Sequence, residues 1–197
     1  MTQVSDRRVG WLLLVGGLIG AVAAFVLTLE RIALLRDPSY VPSCSINPVL
    51  SCGSVMTTDQ AAIFGFPNPL IGVAAFPVVA ATGAALLAGA RLARWYWLAL
   101  QVGVLGGAVM VGWLFFQSLY RINALCPYCM VVWLVVVPIA VYVTRRNALA
   151  GVFGEGLAAN ERFRSLSGWT GLLLALIAAG AVLLILEQFW SYWSTLL

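Results

Sequence analysis

The sequence contains no histidine and no lysine, and charged residues make up only 9% of its 197 positions. Without imidazole, hydrolases that use a histidine base are excluded, as are haem and copper sites that depend on histidine ligands. The formal charge of +4 comes entirely from arginine. These arginines stand singly or in pairs at the ends of apolar runs, so the sequence offers no patch for binding nucleic acid.

Apolar residues are abundant instead, at 62% of the chain, which is too much for a water-soluble domain to bury. A helix of about 20 residues crosses the roughly 30 Å hydrocarbon core of a bilayer. Five runs approach or exceed that length, namely residues 11–29, 70–90, 95–120, 126–143 and 169–186. The first is longer than the apolar part of a signal peptide. The sequence therefore predicts an all-α membrane protein, a four-helix bundle plus a fifth membrane-spanning helix.

The arginines also predict the orientation of this protein in the membrane. With the N-terminus in the cytoplasm, eight arginines fall inside and three fall outside, which agrees with the positive-inside bias. The inner group is Arg7, Arg8, Arg91, Arg94, Arg145, Arg146, Arg162 and Arg164, and the outer group is Arg31, Arg36 and Arg121. All four cysteines then face the outer, oxidising side, where disulfides persist. No acidic residue lies within the first four runs, which argues against a proton-relay transporter.

The long polar segment at residues 30–69 is predicted to lie as a lid over the outer ends of the helices, because a loop of this length usually has a function. A disordered linker is the alternative. Residues 55–64 predict a short helix ended by Gly65. Asn68 stands between two prolines, which fix its backbone in an extended or turn conformation and so hold its side-chain amide at the start of the second span. An N-cap-like or turn asparagine without a ligand is the alternative interpretation.

Two pairs of glycines have the four-residue spacing that lets membrane helices approach closely. They are Gly16 and Gly20 in the first span, and Gly103 and Gly107 in the third. We expect both pairs to serve tight packing of the bundle.

The four cysteines form two pairs, and these carry the candidate chemistry. Cys126 and Cys129 open the fourth span with two residues between them, so they lie on one helix face, where helix N-terminal amides favour a thiolate. Pro127 suits the first helical turn. Cys44 and Cys52 enclose seven residues in the polar loop. A purely structural disulfide and a four-cysteine zinc site remain alternatives for these residues.

Exchange of electrons between two such pairs needs an electron acceptor, and the membrane supplies quinones. Trp133 lies four residues after Cys129, so its indole N–H is a candidate donor to a quinone carbonyl. An ordinary core or lipid-facing tryptophan is the alternative interpretation.

Residues 10–144 resemble the vitamin K epoxide reductase family, specifically its bacterial homologues that oxidise protein thiols. The resemblance rests on the loop pair Cys44 and Cys52, on Thr58 six positions after Cys52, on Asn68 followed by Gly72, and on the dithiol that opens the fourth span. Each feature is weak alone, but their order along the chain is specific.

The resemblance implies a relay of electrons. A reduced thioredoxin-like, DsbA-type protein in the bacterial envelope reduces the loop pair, the loop pair reduces Cys126, and Cys129 reduces a bound quinone without a metal. It also implies that Asn68 binds the quinone, with Thr58 in place of a serine and Trp133 in place of a tyrosine. The protein would then lie in the bacterial inner membrane.

Together with the apolar runs, the resemblance divides the chain into a catalytic core at residues 1–144, a cytoplasmic loop at 145–168, and a fifth span with a short outer tail at 169–197; it covers the core alone. Some homologues carry a thioredoxin-like domain after the fifth helix, and here we expect that partner in trans. Vitamin K epoxide is a second candidate substrate. The DsbB type of quinone-linked oxidase is a competing interpretation, but it places its close-spaced pair first along the chain. A non-enzymatic scaffold or transporter with structural disulfides is a competing interpretation from a different class of protein.

Overall fold

The computed structural model describes residues 2–195, and within this range the secondary structure is helical. The helices are α1 (Thr2–Arg36), α2 (Cys52–Met56), α3 (Pro69–Leu87), α4 (Arg94–Gln117), α5 (Pro127–Leu149), α6 (Glu155–Ala159), α7 (Glu161–Ser167), α8 (Thr170–Gln188) and α9 (Trp190–Trp193). A 3₁₀ turn spans Asp59–Ala62, and α4 continues into a π-helical turn, Ser118–Ile122.

Five of these helices are long and apolar enough to cross a membrane, which confirms the predicted fold class. They are α1, α3, α4 with its π-helical turn, α5 and α8. We call the end of the bundle that carries residues 37–68 and the start of α5 the cysteine end, and the opposite end, with the turn between α3 and α4, the far end.

Helix α1 is the centre of the bundle, because it packs along both α3 and α5, and α5 packs in turn against α4. Small residues allow this close approach: a Cβ atom added at Gly17 would lie 2.6 Å from the backbone nitrogen of Ala80. One added at Gly20 would collide with the ring of Phe76, and one added at Gly16 would lie 3.0 Å from Ile139. The prediction of tight packing is therefore correct for the glycines of α1.

The same prediction is wrong for the glycines of α4. A Cβ atom at Gly103 would meet no neighbour within 4 Å, and one at Gly107 would meet only Val136, at 3.8 Å. Both glycines line a cavity instead. Helices α3 and α4 follow one another in the chain, yet they diverge from their connecting turn and leave this space between them.

Polar residues tie α4 and α5 together at the far end. The fully buried Asn147 donates from Nδ2 to Gln101 Oε1 at 2.9 Å, and Gln101 Nε2 donates to Thr144 Oγ1 at 2.7 Å. Arg146 forms an ion pair with Asp6 of α1 at 2.9 Å. Because each of these contacts joins different helices, the network fixes α1, α4 and α5 at this end.

Helix α8 stands apart from the other four spans. Only 6% of its most apolar window is buried, against 39% for α1, so most of its surface faces lipid. Its attachment is at the cysteine end, where Phe189 is buried with Val49, Leu119 and Leu125. The four-helix core is therefore formed by α1, α3, α4 and α5.

The loop at the cysteine end lies over the bundle, as the sequence predicts for a lid. The prediction of a single helix over residues 55–64 is only partly correct, because α2 ends at Met56 and the 3₁₀ turn begins at Asp59. The Thr57 hydroxyl donates to Gly53 O at 3.1 Å, and the Thr58 hydroxyl donates to Val55 O at 2.8 Å. Both hydroxyls therefore bond to carbonyl groups of α2 at its C-terminal end. The helix does not continue, because the backbone at Thr58 is extended.

Candidate redox site

The first part of the site is the N-terminal turn of α5. Cys126 is the N-cap residue, with extended backbone angles, and its sulfur accepts a hydrogen bond from the backbone N–H of Cys129 at 3.5 Å. Pro127 occupies the first helical position, where a missing N–H costs nothing. Both thiols are free in the structure, and Cys126 is buried. The local geometry is the one that the tetrapeptide predicts.

The second part is the loop pair, in which Cys44 and Cys52 form a disulfide with a Cα–Cα distance of 5.6 Å. Cys52 is the first residue of α2, and the preceding Ser51 caps that helix by accepting a hydrogen bond from Ser54 N at 3.3 Å. Asn47 accepts hydrogen bonds from the backbone N–H groups of Val49 and Leu50. The intervening segment is therefore a compact turn.

A short backbone pairing brings the two parts together. Asn123 adopts left-handed backbone angles (φ 55°, ψ 38°), which asparagine tolerates better than most residues. The chain thereby turns out of the π-helical turn and runs beside the loop. Leu125 N donates to Val49 O at 2.7 Å, and Ser51 N donates to Leu125 O at 2.9 Å. Cys52 and Cys126 each follow directly after this pairing, so their side chains are held side by side.

The Cys52 and Cys126 sulfur atoms are 3.1 Å apart, and both side chains are almost fully buried. The sulfur atoms of Cys44, Cys52 and Cys126 all lie within 4.8 Å of one another. Thiol–disulfide exchange requires a thiolate to attack one sulfur of a disulfide, and this arrangement places a free thiol directly against a disulfide sulfur. Three such thiolates could also hold a soft metal ion, although in this structure two of the three sulfur atoms are bonded to each other.

A cavity of about 490 Å³ opens behind Cys129 and runs between α3 and α4. Such a volume suits a small organic ligand. The cavity extends from the cysteine end to Trp95 and Tyr96 near the far end, and apolar side chains form nearly all of its surface. Its polar lining groups near the cysteine end are Arg31, Asn68, Cys129 and Trp133.

Asn68 lies at the start of α3 and lines this cavity. Its backbone is helical rather than extended, so of the two predicted conformations the turn is the correct one. Its side-chain oxygen accepts a hydrogen bond from Ile63 N at 3.2 Å, and Nδ2 donates to Gln60 O at 2.7 Å. An amide nitrogen carries two hydrogens, so one N–H of Asn68 remains for a ligand.

Trp133 and Thr58 are the other two predicted ligand contacts, and of these only Trp133 lines the cavity in the described part of the chain. Trp133 lines the cavity four residues after Cys129, and its ring packs edge-on against Phe115 with centroids 5.0 Å apart. Within residues 2–195 its indole N–H has no hydrogen-bond partner. Thr58 does not line the cavity in the described part of the chain, and its hydroxyl is bonded to Val55 O. The structure therefore brings Trp133, but not Thr58, to the ligand space.

Sequence reasoning missed two charged residues at the end of α1. Glu30 is buried and accepts hydrogen bonds from Tyr40 and Ser43 of the loop, and the adjacent Arg31 lines the cavity. In the sequence, Arg31 contributes only to the charge bias across the membrane. The sequence did contain a signal for a further role. Two residues of opposite charge follow directly after an apolar run, although either one alone would be enough to anchor the end of a membrane span.

Comparison with known proteins agrees with this geometry. A family model described as the vitamin K epoxide reductase family matches residues 11–144. This range begins in α1 and ends in α5, so it covers the four-helix core, the loop and all four cysteines. None of the curated proteins matches the chain.

Proposed function

Because the chain belongs to the vitamin K epoxide reductase family, and is therefore a multi-pass membrane oxidoreductase, we propose that it transfers electrons from protein thiols to a quinone. In this proposal Cys44, Cys52, Cys126 and Cys129 are the catalytic residues. The net result would be the formation of disulfide bonds in a partner protein.

The observation that carries the proposal is the 3.1 Å contact between the Cys52 and Cys126 sulfur atoms. A disulfide that only staples a loop needs no free thiol against it. Here the free thiol belongs to a second pair whose other member, Cys129, lines the ligand cavity. The contact thus supports a relay over a scaffold or transporter with structural disulfides.

Burial and distance also favour one order of steps at the loop pair. Cys52 is 0% exposed and faces Cys126, whereas Cys44 retains 5% exposure. We therefore expect a partner thiolate to attack Cys44, which forms a mixed disulfide and releases Cys52 as the thiolate. Cys52 then attacks Cys126 of a Cys126–Cys129 disulfide, and Cys129 is released.

The remaining steps restore both pairs. The second thiolate of the partner attacks its own mixed disulfide, so the partner leaves oxidised and Cys44 is free. Cys44 attacks Cys52, which re-forms the loop disulfide and leaves Cys126 and Cys129 as a dithiol. Cys126 and Cys129 then give up two electrons and two protons and re-form their disulfide.

Three features of the cavity suit a quinone, namely its apolar walls, the hydrogen-bond donors beside Cys129 and its extension between α3 and α4. A bound quinone would supply the oxidising power, since it takes up two electrons and two protons. The apolar walls suit a ring, and donors from Asn68 and Trp133 lie on the same surface as Cys129. The space between α3 and α4 continues past Gly103 toward Tyr96, which suits the long apolar tail of a membrane quinone. The proposed role of Thr58 has no such support, because its hydroxyl is bonded within the loop.

The proposed location is the bacterial inner membrane, with the N-terminus in the cytoplasm and the cysteine end outside. The arginine distribution supports this orientation. The proposed partner is a thioredoxin-like, DsbA-type protein, acting in trans. An oxidising outer compartment would allow the disulfides formed there to persist.

The test uses purified protein, a reduced DsbA-type protein as electron donor, and a quinone whose reduction is followed by absorbance. Cys126→Ala and Cys129→Ala should each lower the rate to the uncatalysed background, because each removes one sulfur of the dithiol. Thr57→Ala, at an exposed position of the loop that carries Cys44 and Cys52, should leave the rate unchanged. Full activity in either cysteine variant would refute the relay.

The order of steps is tested by trapping the partner. With Cys52→Ala, Cys44 is a free thiol and should attack a single-cysteine partner activated as its mixed disulfide with 2-nitro-5-thiobenzoate, which leaves as the thiolate; the resulting Cys44–partner disulfide is detected by mass spectrometry of non-reduced peptides. With Cys44→Ala, the adduct should be much reduced because Cys52 is enclosed. A stronger adduct at Cys52 would reverse the order.

A further inference from the structure

Arg31 is the one charged side chain among the described residues that line the cavity. It follows Leu27 by one helical turn of α1, and both face the same space as Cys129. Its Nε atom is buried and has no hydrogen-bond partner within residues 2–195. The ion pair found in that range joins Arg146 to Asp6, so Arg31 also lacks a counter-ion there.

The acidic residues near Arg31 in the chain are already engaged. Glu30 accepts hydrogen bonds from Tyr40 at 2.9 Å and from Ser43. Asp37 accepts them from the backbone N–H and the hydroxyl of Ser39, at 2.9 and 2.6 Å. Both carboxylates thus bond to the loop, while the arginine between them has no partner within residues 2–195. A buried donor without a partner costs free energy, and a ligand oxygen would remove that cost.

We propose that the guanidinium group of Arg31, which in this structure leaves its Nε–H without a partner among residues 2–195, donates an N–H to an oxygen of the quinone and so fixes the ring beside Cys129. This inference rests on the proposed function and adds a binding residue to it. Arginine stays protonated at any physiological pH, so Arg31 neither gives nor takes a proton. The two protons of the reaction still come from Cys126 and Cys129, while the guanidinium stabilises negative charge on the ligand oxygen.

The experiment measures binding rather than turnover. The probe is 2,3-dimethyl-1,4-naphthoquinone, whose blocked ring positions prevent addition of a thiol, and its Kd is read from quenching of tryptophan fluorescence in detergent. The comparison compound is 2,3-dimethylnaphthalene, which has a similar ring system without oxygens. Arg31→Gln should weaken quinone binding about tenfold, the usual loss for a hydrogen bond to a charged group, and leave hydrocarbon binding unchanged.

Two variants serve as controls. Arg31→Lys keeps the positive charge and a donor and should recover part of the lost affinity. Arg36→Gln removes a charge from an exposed position of the same helix and should bind both compounds as the unaltered protein does. If Arg31→Gln weakened the binding of quinone and hydrocarbon equally, the residue would only shape the cavity and the proposed hydrogen bond would be wrong.

The outcomes separate this inference from the proposed function. If the unaltered protein binds the quinone and Arg31→Gln binds it equally well, the inference fails while the relay stands. Arg31 would then serve another partner, such as a lipid phosphate. If the unaltered protein binds the quinone no better than the hydrocarbon, the quinone site itself is refuted, and with it both proposals.

Discussion

At the scale of single residues, the buried Glu30 ties the cysteine-bearing loop to the bundle. It lies near the end of α1, and its carboxylate accepts hydrogen bonds from the Tyr40 hydroxyl and from the hydroxyl and backbone N–H of Ser43. Ser43 directly precedes Cys44. One side chain of the bundle therefore fixes the position of the loop disulfide.

We expect Glu30→Ala to loosen the loop without unfolding the bundle. The loss of charged hydrogen bonds should speed amide hydrogen exchange at residues 40–46 by about tenfold, as measured by mass spectrometry. Asp37→Ala is the matched control, since in the described part of the chain that carboxylate bonds only to Ser39, in an exposed turn. Equal exchange in the unaltered protein and Glu30→Ala would show that the helix anchor is dispensable.

The same contact has a defined pH dependence. Donation to the Glu30 carboxylate raises the pKa of Tyr40 above its ordinary value of 10.0. A group whose pKa is raised on folding stabilises the fold below the unfolded pKa and loses that effect as the pH rises through the folded value. The Tyr40 hydroxyl should therefore still donate to Glu30 at neutral pH, and this contact should weaken in strongly alkaline solution.

At the scale of helices, the glycines show two opposite uses of a missing side chain. In α1 they let the backbone of α3 approach, and at Gly17 the nearest atoms include backbone atoms of Ala80. In α4 they leave Gly103 facing open space in the cavity. Glycines therefore permit close contact between α1 and α3, whereas in α4 they line the space between α3 and α4.

This difference predicts different costs for the same substitution. Gly17→Ala should destabilise the protein by about 1–3 kcal/mol, because the backbone of α3 must shift to admit a methyl group. Gly103→Ala should be neutral or slightly stabilising, because its methyl group enters free space and alanine favours a helix. Thermal unfolding in detergent compares the two directly. A lower melting temperature for Gly103→Ala than for Gly17→Ala would contradict this packing of α1 and α4.

At the scale of the whole molecule, the bundle separates two functions along its length. The far end is fixed by the polar network around Asn147, whereas the cysteine end holds one cysteine pair in the loop and the other at the start of α5. The cavity connects the two ends between α3 and α4. In the proposed relay, electrons would reach Cys129 through the cysteine pairs and the quinone would reach it through the cavity.

The orientation of the whole bundle is tested by labelling single cysteines in intact cells, in a variant whose four native cysteines are alanine. Thr57→Cys, at an exposed position of the cysteine end, should react with a membrane-impermeant maleimide. Ala90→Cys, exposed in the turn at the far end, should react only after the cells are opened. The reverse pattern would place the cysteine pairs in the cytoplasm.

Sequence reasoning predicted the spans well because a bilayer imposes both length and apolarity on each helix. It also predicted the helix-start geometry of Cys126, since the spacing and Pro127 act within one turn. It was wrong about Gly103 and Gly107, because spacing along α4 does not show which neighbour, if any, faces that side. It missed the contacts of Glu30 with the loop and the Arg31 Nε atom that has no partner within residues 2–195, because neighbouring positions in the sequence do not show which distant groups meet.

The sequence by itself determined five spans, two cysteine pairs and the likeness to a family, since these depend on hydrophobic length and on short-range spacing. Only the tertiary structure decided that Cys52 contacts Cys126, because that distance depends on the pairing of Leu125 with the loop across more than seventy residues. It likewise decided that α3 and α4 part to form a cavity. Contacts between distant segments arise from the packing of whole helices, which no local pattern specifies.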